Sequence, residues 1–266
     1  MKPVISSQEL RRVARGLGVA LDLVEKDYAL GWMLFGIASS SMSSRVAFKG
    51  GTALSKVYFP GQWRLSEDLD FTLLDDTEPG DLLKALSEEV LPNVQNASGI
   101  PFTPKKAPFI NPTYLQARFQ YVGPVSRNTL KVEISKEGFV GDVIRKGVPQ
   151  AFDYPRFEVT IYSLENILAE KIRTLLERGK VKDYYDVWKL LKVGGLDGAE
   201  VKHLFLEKCR AKGVAFNSVE QLFPPDLTNT LKPYVKMGLT RLSSEPLPPI
   251  ESLVDESKAK MTRLLA

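Results

Sequence analysis

Asp68 and Asp70 stand two apart in the run Asp68-Leu69-Asp70-Phe71-Thr72-Leu73, whose alternation is that of a strand. Residues two apart on a strand point to the same side, so both carboxylates project together while Leu69, Phe71 and Leu73 face a core. Two such anions repel each other, and a cation between them relieves the repulsion. Hard oxygen ligands with phosphate nearby suit magnesium, which binds through one or two carboxylates plus substrate phosphates.

The phosphate side comes from just upstream. Val46-Ala47-Phe48 reads as a short strand, Gly50-Gly51-Thr52 follow, and Ala53, Leu54, Val57 and Tyr58 recur at helical spacing. A strand that turns on glycines into a helix leaves backbone N–H groups and the positive end of the helix dipole facing outward, a place for phosphate. Lys56 on that helix could reach a phosphate, and Arg64 and Ser66 precede the carboxylates, Ser66 at the same strand parity. Gly-Gly alone mostly marks a turn, and Asp-x-Asp alone mostly marks solvated surface. Joined in one strand, turn, helix and strand, they read as a site for a metal-chelated nucleoside triphosphate.

The rest of the chain must position these groups. At 266 residues with 44% hydrophobic and 26% charged residues, it reads as an ordinary globular protein with one large or two modest domains. The single cysteine, Cys209, excludes an intramolecular disulfide and fits a reducing cytoplasm. The single histidine, His203, removes mechanisms that need a histidine base or a His/Cys zinc site. The apolar residues 30–37 are too short for a membrane span or a signal peptide, and a net charge of +4 is too mild to establish nucleic-acid binding.

Two helices are expected over residues 6–37, the first capped by Ser6 or Ser7, with the charges of Glu25-Lys26-Asp27 solvated. Residues 79–90 read as an amphipathic helix, 92–112 as a loop with at most one short strand, and 114–122 and 130–134 as adjacent antiparallel strands. Residues 138–155 read as a basic loop and 157–162 as a last strand. These give an α/β (α+β) fold, a small mixed sheet backed by helices, over 1–162, and a helical lobe over 163–266.

In that lobe Ser163 caps a helix ended by Gly179, and Lys171 falls inside its apolar stripe of Leu164, Ile167, Leu168, Ile172 and Leu175. A lysine aimed into a core needs an anion there. On the following helix Asp183 lies within the apolar arc and Asp186 flanks it, so Asp183 caps that helix or pairs with Lys171.

With these residues in view, FKGGTALSKVY and RLSEDLDF resemble the AbiEii and MenT-like nucleotidyltransferase toxins, within the nucleotidyltransferase superfamily. Glu25-Lys26-Asp27-Tyr28 is similar to a block near the start of such proteins. LENILAEKIRTLLERGKVKDYYDVWKLL resembles their second signature, Lys171 matching its lysine and Asp183 and Asp186 its aspartates. Lys182 stands where relatives have arginine, which puts a bidentate phosphate contact there in doubt.

The resemblance, covering residues 25–191, implies a nucleotidyltransferase-like sheet lobe and catalysis by Asp68, Asp70, Lys171 and Asp183. It implies nucleotide contacts from Gly50, Gly51, Thr52, Lys56, Arg64, Ser66 and Asp186, and magnesium on Asp68 and Asp70. Glu133 falls where the superfamily places a third carboxylate, and is otherwise an exposed strand glutamate beside Lys131. The implied reaction moves NMP from an NTP to an acceptor hydroxyl, the acceptor being the tRNA 3′ end and the partner an AbiEi-like antitoxin. The rivals are a phosphotransferase, a nucleotidyltransferase acting on protein or a small molecule, and a non-catalytic nucleotide-binding module.

Overall fold

Alternating apolar residues build an eight-stranded mixed sheet in the computed structural model, which describes residues 5–266. Its strands are β1 (Val46–Lys49), β2 (Asp68–Leu73), β3 (Phe102–Pro104), β4 (Phe109–Asn111), β5 (Tyr114–Val122), β6 (Arg127–Lys136), β7 (Val143–Gly147) and β8 (Glu158–Tyr162). They run in the order β3-β5-β6-β2-β1-β8-β7, with β4 also paired to β5. β2 lies antiparallel to β1 and parallel to β6, so the strand bearing Asp68 and Asp70 is central.

One face of the sheet is apolar, formed by Phe48, Leu69, Phe71, Leu115, Phe119, Val132 and Ile134, all buried. Helix α2 (Leu21–Ala38) packs on it, and from Tyr28 onward it is apolar on nearly every side, as a largely enclosed helix segment must be. Helix α1 (Ser7–Leu17) precedes it with Ser6 and Glu9 forming a reciprocal capping box. The opposite face of β2 and β6 carries the charged residues.

Two segments depart from the sequence expectation. Helix α4 (Pro79–Ala85) continues through a widened turn, Leu86–Val90, into helix α5 (Leu91–Ser98), where a loop was expected from residue 92. Pro92 sits in the first turn of α5, directly after that widened turn, where a missing N–H is tolerated. β7 lies in the expected basic loop; it is a largely exposed edge strand, with no alternation of buried residues to read.

The chain divides into two units, Met1–Glu137 with Ile144–Ile161, and Gly138–Val143 with Tyr162–Ala266. The second is helical: α6 (Leu164–Glu177), α7 (Val181–Leu190), α8 (Gly198–Lys212), α9 (Leu227–Gly238) and α10 (Ile250–Leu265). Ser163 caps α6 by accepting from Asn166 N–H at 3.1 Å. The segment Gly138–Val143, expected in the first lobe, groups with the helices because Asn166 donates to the carbonyls of Val140 (3.0 Å) and Asp142 (2.7 Å). Lys208 also donates to the Val140 carbonyl, at 3.0 Å.

Candidate active site

The sheet register assembles the charged groups. Lys49 of β1 pairs with Asp70 of β2, which pairs with Glu133 of β6, while Asp68 pairs with Lys131. Paired residues share a face, so Asp68, Asp70 and Glu133 gather on one side of the sheet. Lys131 places its ammonium 2.5 Å from Glu133 Oε2 and 3.3 Å from Asp68 Oδ2. Tyr114, on β5, donates its hydroxyl to Glu133 Oε1. Glu133 is thus part of the carboxylate cluster and not an isolated strand glutamate.

Gly50 and Gly51 lie against this cluster for steric reasons. Gly50 has φ +78°, and a Cβ there would fall 2.8 Å from Asp70 Oδ2. A Cβ on Gly51 would fall 2.9 Å from Arg64 Nη2 and 3.3 Å from Ser66 Oγ. The turn therefore brings Arg64 and Ser66 to one glycine and Asp70 to the other. Helix α3 (Gly50–Ala53) is one turn long and continues without a break as a widened helix over Leu54–Tyr58. The buried Arg64 guanidinium adds positive charge beside Gly51.

Two expected phosphate ligands have other partners. Thr52 is fully buried and donates its hydroxyl to the Asp68 carbonyl, tying the glycine turn to β2. Lys56 is buried with its ammonium 2.8 Å from Asp27 Oδ1.

Burial, together with the Glu133 and Asp68 carboxylates, pushes the Asp70 carboxyl up to about 6. Burial also opposes ionisation of Glu133, but hydrogen bonds from Lys131 and Tyr114 outweigh it and hold that group below the usual range. Anions crowded until one resists ionisation, with hard oxygen donors on adjacent strands, fit a divalent cation. Among the described residues no group of three His, Cys, Asp or Glu is disposed to hold a metal ion. A cation here would rest on Asp68 and Asp70 and on oxygens of the substrate.

In the helical unit Lys171 is buried and sits 3.1 Å from Asp183 Oδ1 and 2.9 Å from Asp186 Oδ2. Arg178 reaches Asp183 as well, Nε to Oδ2 at 3.0 Å and Nη2 to Oδ1 at 3.1 Å. Burial alone would raise the Asp183 carboxyl, but Lys171 and Arg178 prevail and bring it to about 2. Of the alternatives open for Asp183 in the sequence, the pairing with Lys171 is the one formed.

Comparison with known proteins adds to this geometry. The family model described as nucleotidyl transferase AbiEii toxin, type IV toxin–antitoxin system, matches residues 32–256. The chain belongs to this family. Among solved structures it is similar to MenT4, a nucleotidyltransferase toxin from Mycobacterium tuberculosis H37Rv, at 17% identity and TM-score 0.64, covering 98% of this chain and 89% of that one. JHP933 from Helicobacter pylori matches at 18% identity and TM-score 0.56, covering 93% of each chain. A putative nucleotidyltransferase from H. pylori matches at 17% identity and TM-score 0.56, over 93% of this chain and 96% of that one. No curated protein sequence matches significantly.

For this AbiEii chain, sequence reasoning missed Lys131 and Tyr114, the two partners of Glu133. Strand parity with Glu133 could have flagged Lys131; Tyr114 lies on a different strand and depended on register. It also misjudged Glu25-Lys26-Asp27, whose charges are paired and not solvated. Glu25 is fully buried and accepts from Val125 N–H (2.6 Å), Ser126 N–H (3.1 Å) and the Ser126 hydroxyl, fixing the turn between β5 and β6. Lys26 pairs with Glu67 at 3.5 Å, and Asp27 holds Lys56. The available signal was the apolar residues on both sides of them, Leu23 and Val24 before and Tyr28 to Ile37 after, which draw this helix into the core.

Proposed function

We propose that this AbiEii-family nucleotidyltransferase transfers a nucleoside monophosphate from a magnesium-chelated nucleoside triphosphate to the 3′ end of tRNA. The blocked tRNA would arrest translation, and a separately encoded AbiEi-like protein would act as antitoxin. The observation that carries the reading is the row of Asp70 and Glu133 beside Asp68, set directly against the Gly50-Gly51 turn with Arg64 and Ser66 behind it. A single cysteine supports a cytoplasmic setting, and among the described residues no helix is long and apolar enough to cross a membrane.

In the reaction, a new P–O bond forms between the acceptor oxygen and the α-phosphorus, the α–β anhydride bond breaks, and pyrophosphate leaves. Gly50 and Gly51 admit the triphosphate close to the backbone, and Arg64 meets its negative charge. Asp68 and Asp70 would hold a divalent cation, which when bound would supply Lewis-acid stabilisation of the phosphoryl oxygens. Asp70, pushed up to about 6 by burial and its carboxylate neighbours, is the group whose ionisation a bound cation would favour most, and the acceptor's proton leaves to solvent. Lys131 and Tyr114 keep Glu133 ionised and oriented beside it. The pairing of Lys171 with Asp183 and Asp186 supports a positioning role, holding α6 to α7, over the phosphate contact expected from the sequence.

The test incubates the protein, and the Asp68→Ala/Asp70→Ala variant, with magnesium, total tRNA and nucleotides labelled at the α or γ phosphate. Label from the α position entering tRNA only with intact carboxylates is the expected result. Label from the γ position would make the protein a phosphotransferase instead, and transfer to protein or to a small molecule alone would overturn the tRNA assignment.

A further inference from the structure

The transverse row that contains Asp70 and Glu133 does not stop at β6. Glu133 pairs with Gln116 of β5, and Gln116 pairs with Phe109 of β4, so Lys49, Asp70, Glu133, Gln116 and Phe109 share one face in a line across five strands. The neighbouring row continues Asp68 and Lys131 to Arg118. Phe109 is 57% exposed, although phenylalanine normally buries its ring. Its ring stands 6.0 Å from that of Tyr114, the residue that donates to Glu133. Arg118 is exposed and oriented by a 3.1 Å hydrogen bond from its Nη2 to Gln116 Oε1.

Charge along this stretch is one-sided. From residue 90 to residue 132 the sequence has no aspartate or glutamate, while it carries Lys105, Lys106, Arg118, Arg127 and Lys131. Lys105 and Lys106 are exposed in the connection between β3 and β4, and the Lys105 N–H bonds the Arg118 carbonyl at 2.9 Å. An exposed aromatic ring among basic side chains is the combination that binds single-stranded nucleic acid, through base stacking and neutralisation of phosphate. A protein partner would meet little apolar surface on this face beyond Phe109 and, at the far end of β5, Val122, since Ile110 pairs with Leu115 on the other face.

We propose that the β4–β5 face, with Phe109 as stacking platform and Arg118, Lys105 and Lys106 as phosphate contacts, is the track that holds the acceptor strand. Its occupant is single-stranded RNA whose terminal hydroxyl is presented at the carboxylate cluster. From β2 to β4 is three strand spacings, roughly 14 Å. That places Phe109 under a base upstream of the reacting end and not under the nucleotide being transferred. The inference rests on the nucleotidyl-transfer reading for its orientation, but the binding itself can be measured without turnover.

The experiment measures binding of a labelled single-stranded oligoribonucleotide, and of the same strand in a duplex, to the full chain and to Phe109→Ala, Phe109→Trp and Arg118→Gln. Because Phe109 and Arg118 are exposed, the variants should fold, and melting curves check this. Phe109→Ala is expected to weaken single-strand binding between about fivefold and a hundredfold, with Phe109→Trp restoring it. Arg118→Gln is expected to flatten the slope of log K against log salt by about 0.7. Equal binding of duplex and single strand, or affinity unchanged in Phe109→Ala, would overturn the proposal. So would a rise in KM confined to the triphosphate. If the wild type binds as expected but transfers no label, the single-strand binding face stands, and the transferase reading falls together with the placing of the strand's terminal hydroxyl at the carboxylates.

Discussion

Two clusters of charge in this chain are built from the same residue types and behave in opposite ways. On the sheet, Asp68, Asp70 and Glu133 face Lys131, with Lys49 beside Asp70 but paired to Glu137, and Asp70 is pushed up to about 6 by burial and by its carboxylate neighbours. In the helical unit, Asp183 and Asp186 face Lys171 and Arg178, and Asp183 is brought down to about 2. The first cluster carries surplus negative charge that a ligand can relieve. The second matches its charges internally and needs nothing from outside. A buried lysine in an apolar stripe is therefore weaker evidence for catalysis than a carboxylate held where it resists ionisation.

The largest effect expected from this contrast is on stability. Asp186→Ala leaves the buried Lys171 with one carboxylate fewer, and should cost about 3–5 kcal/mol in chemical denaturation. Asp70→Asn, which removes like-charge repulsion, should leave stability unchanged or slightly raised. A comparable loss in both variants would erase the distinction between the clusters.

Magnesium should act on only one of them. At about a hundred times its Kd, a cation that binds the folded state alone adds about 2.7 kcal/mol, so the wild type should melt higher with magnesium. Asp70→Asn should lose most of that gain and Lys171→Met should keep it. A gain that survives Asp70→Asn would place the ion elsewhere.

Acid sharpens the contrast further. The Asp183 carboxyl lies lower in the folded chain than its ordinary 3.8, so its contribution is fully present above about 4 and is lost as pH falls towards 2. The loss should be roughly 2 kcal/mol, and Asp183→Asn should remove this part of the pH dependence. An identical acid slope in wild type and variant would mean the pairing with Lys171 and Arg178 is not what depresses this group.

Much of the fold was legible because local patterns and tertiary burial agreed. The alternation of residues 114–122 became β5 and the Ser163 cap began α6, both as expected. The edge strand β7 and the helix α5 were not legible. An edge strand exposed on most of its length has no inward face to mark, and a proline at the start of α5 reads as a break unless the widened turn before it is known.

By itself the sequence determined which chemistry is available: two carboxylates on one side of a strand, glycines that admit phosphate, no usable histidine or thiol pair, and family motifs sufficient to place the chain among the AbiEii proteins. Only the tertiary structure decided which charges are already matched. It gave Lys56 to Asp27, Lys171 to Asp183 and Asp186, and Glu25 to the turn between β5 and β6, and it set Lys131 and Tyr114 beside the carboxylates and the exposed Phe109 further along the same row. The reason is that side-chain type and parity are local properties of the chain. Pairing across strands and helices depends on register and packing, which bring together residues far apart in sequence.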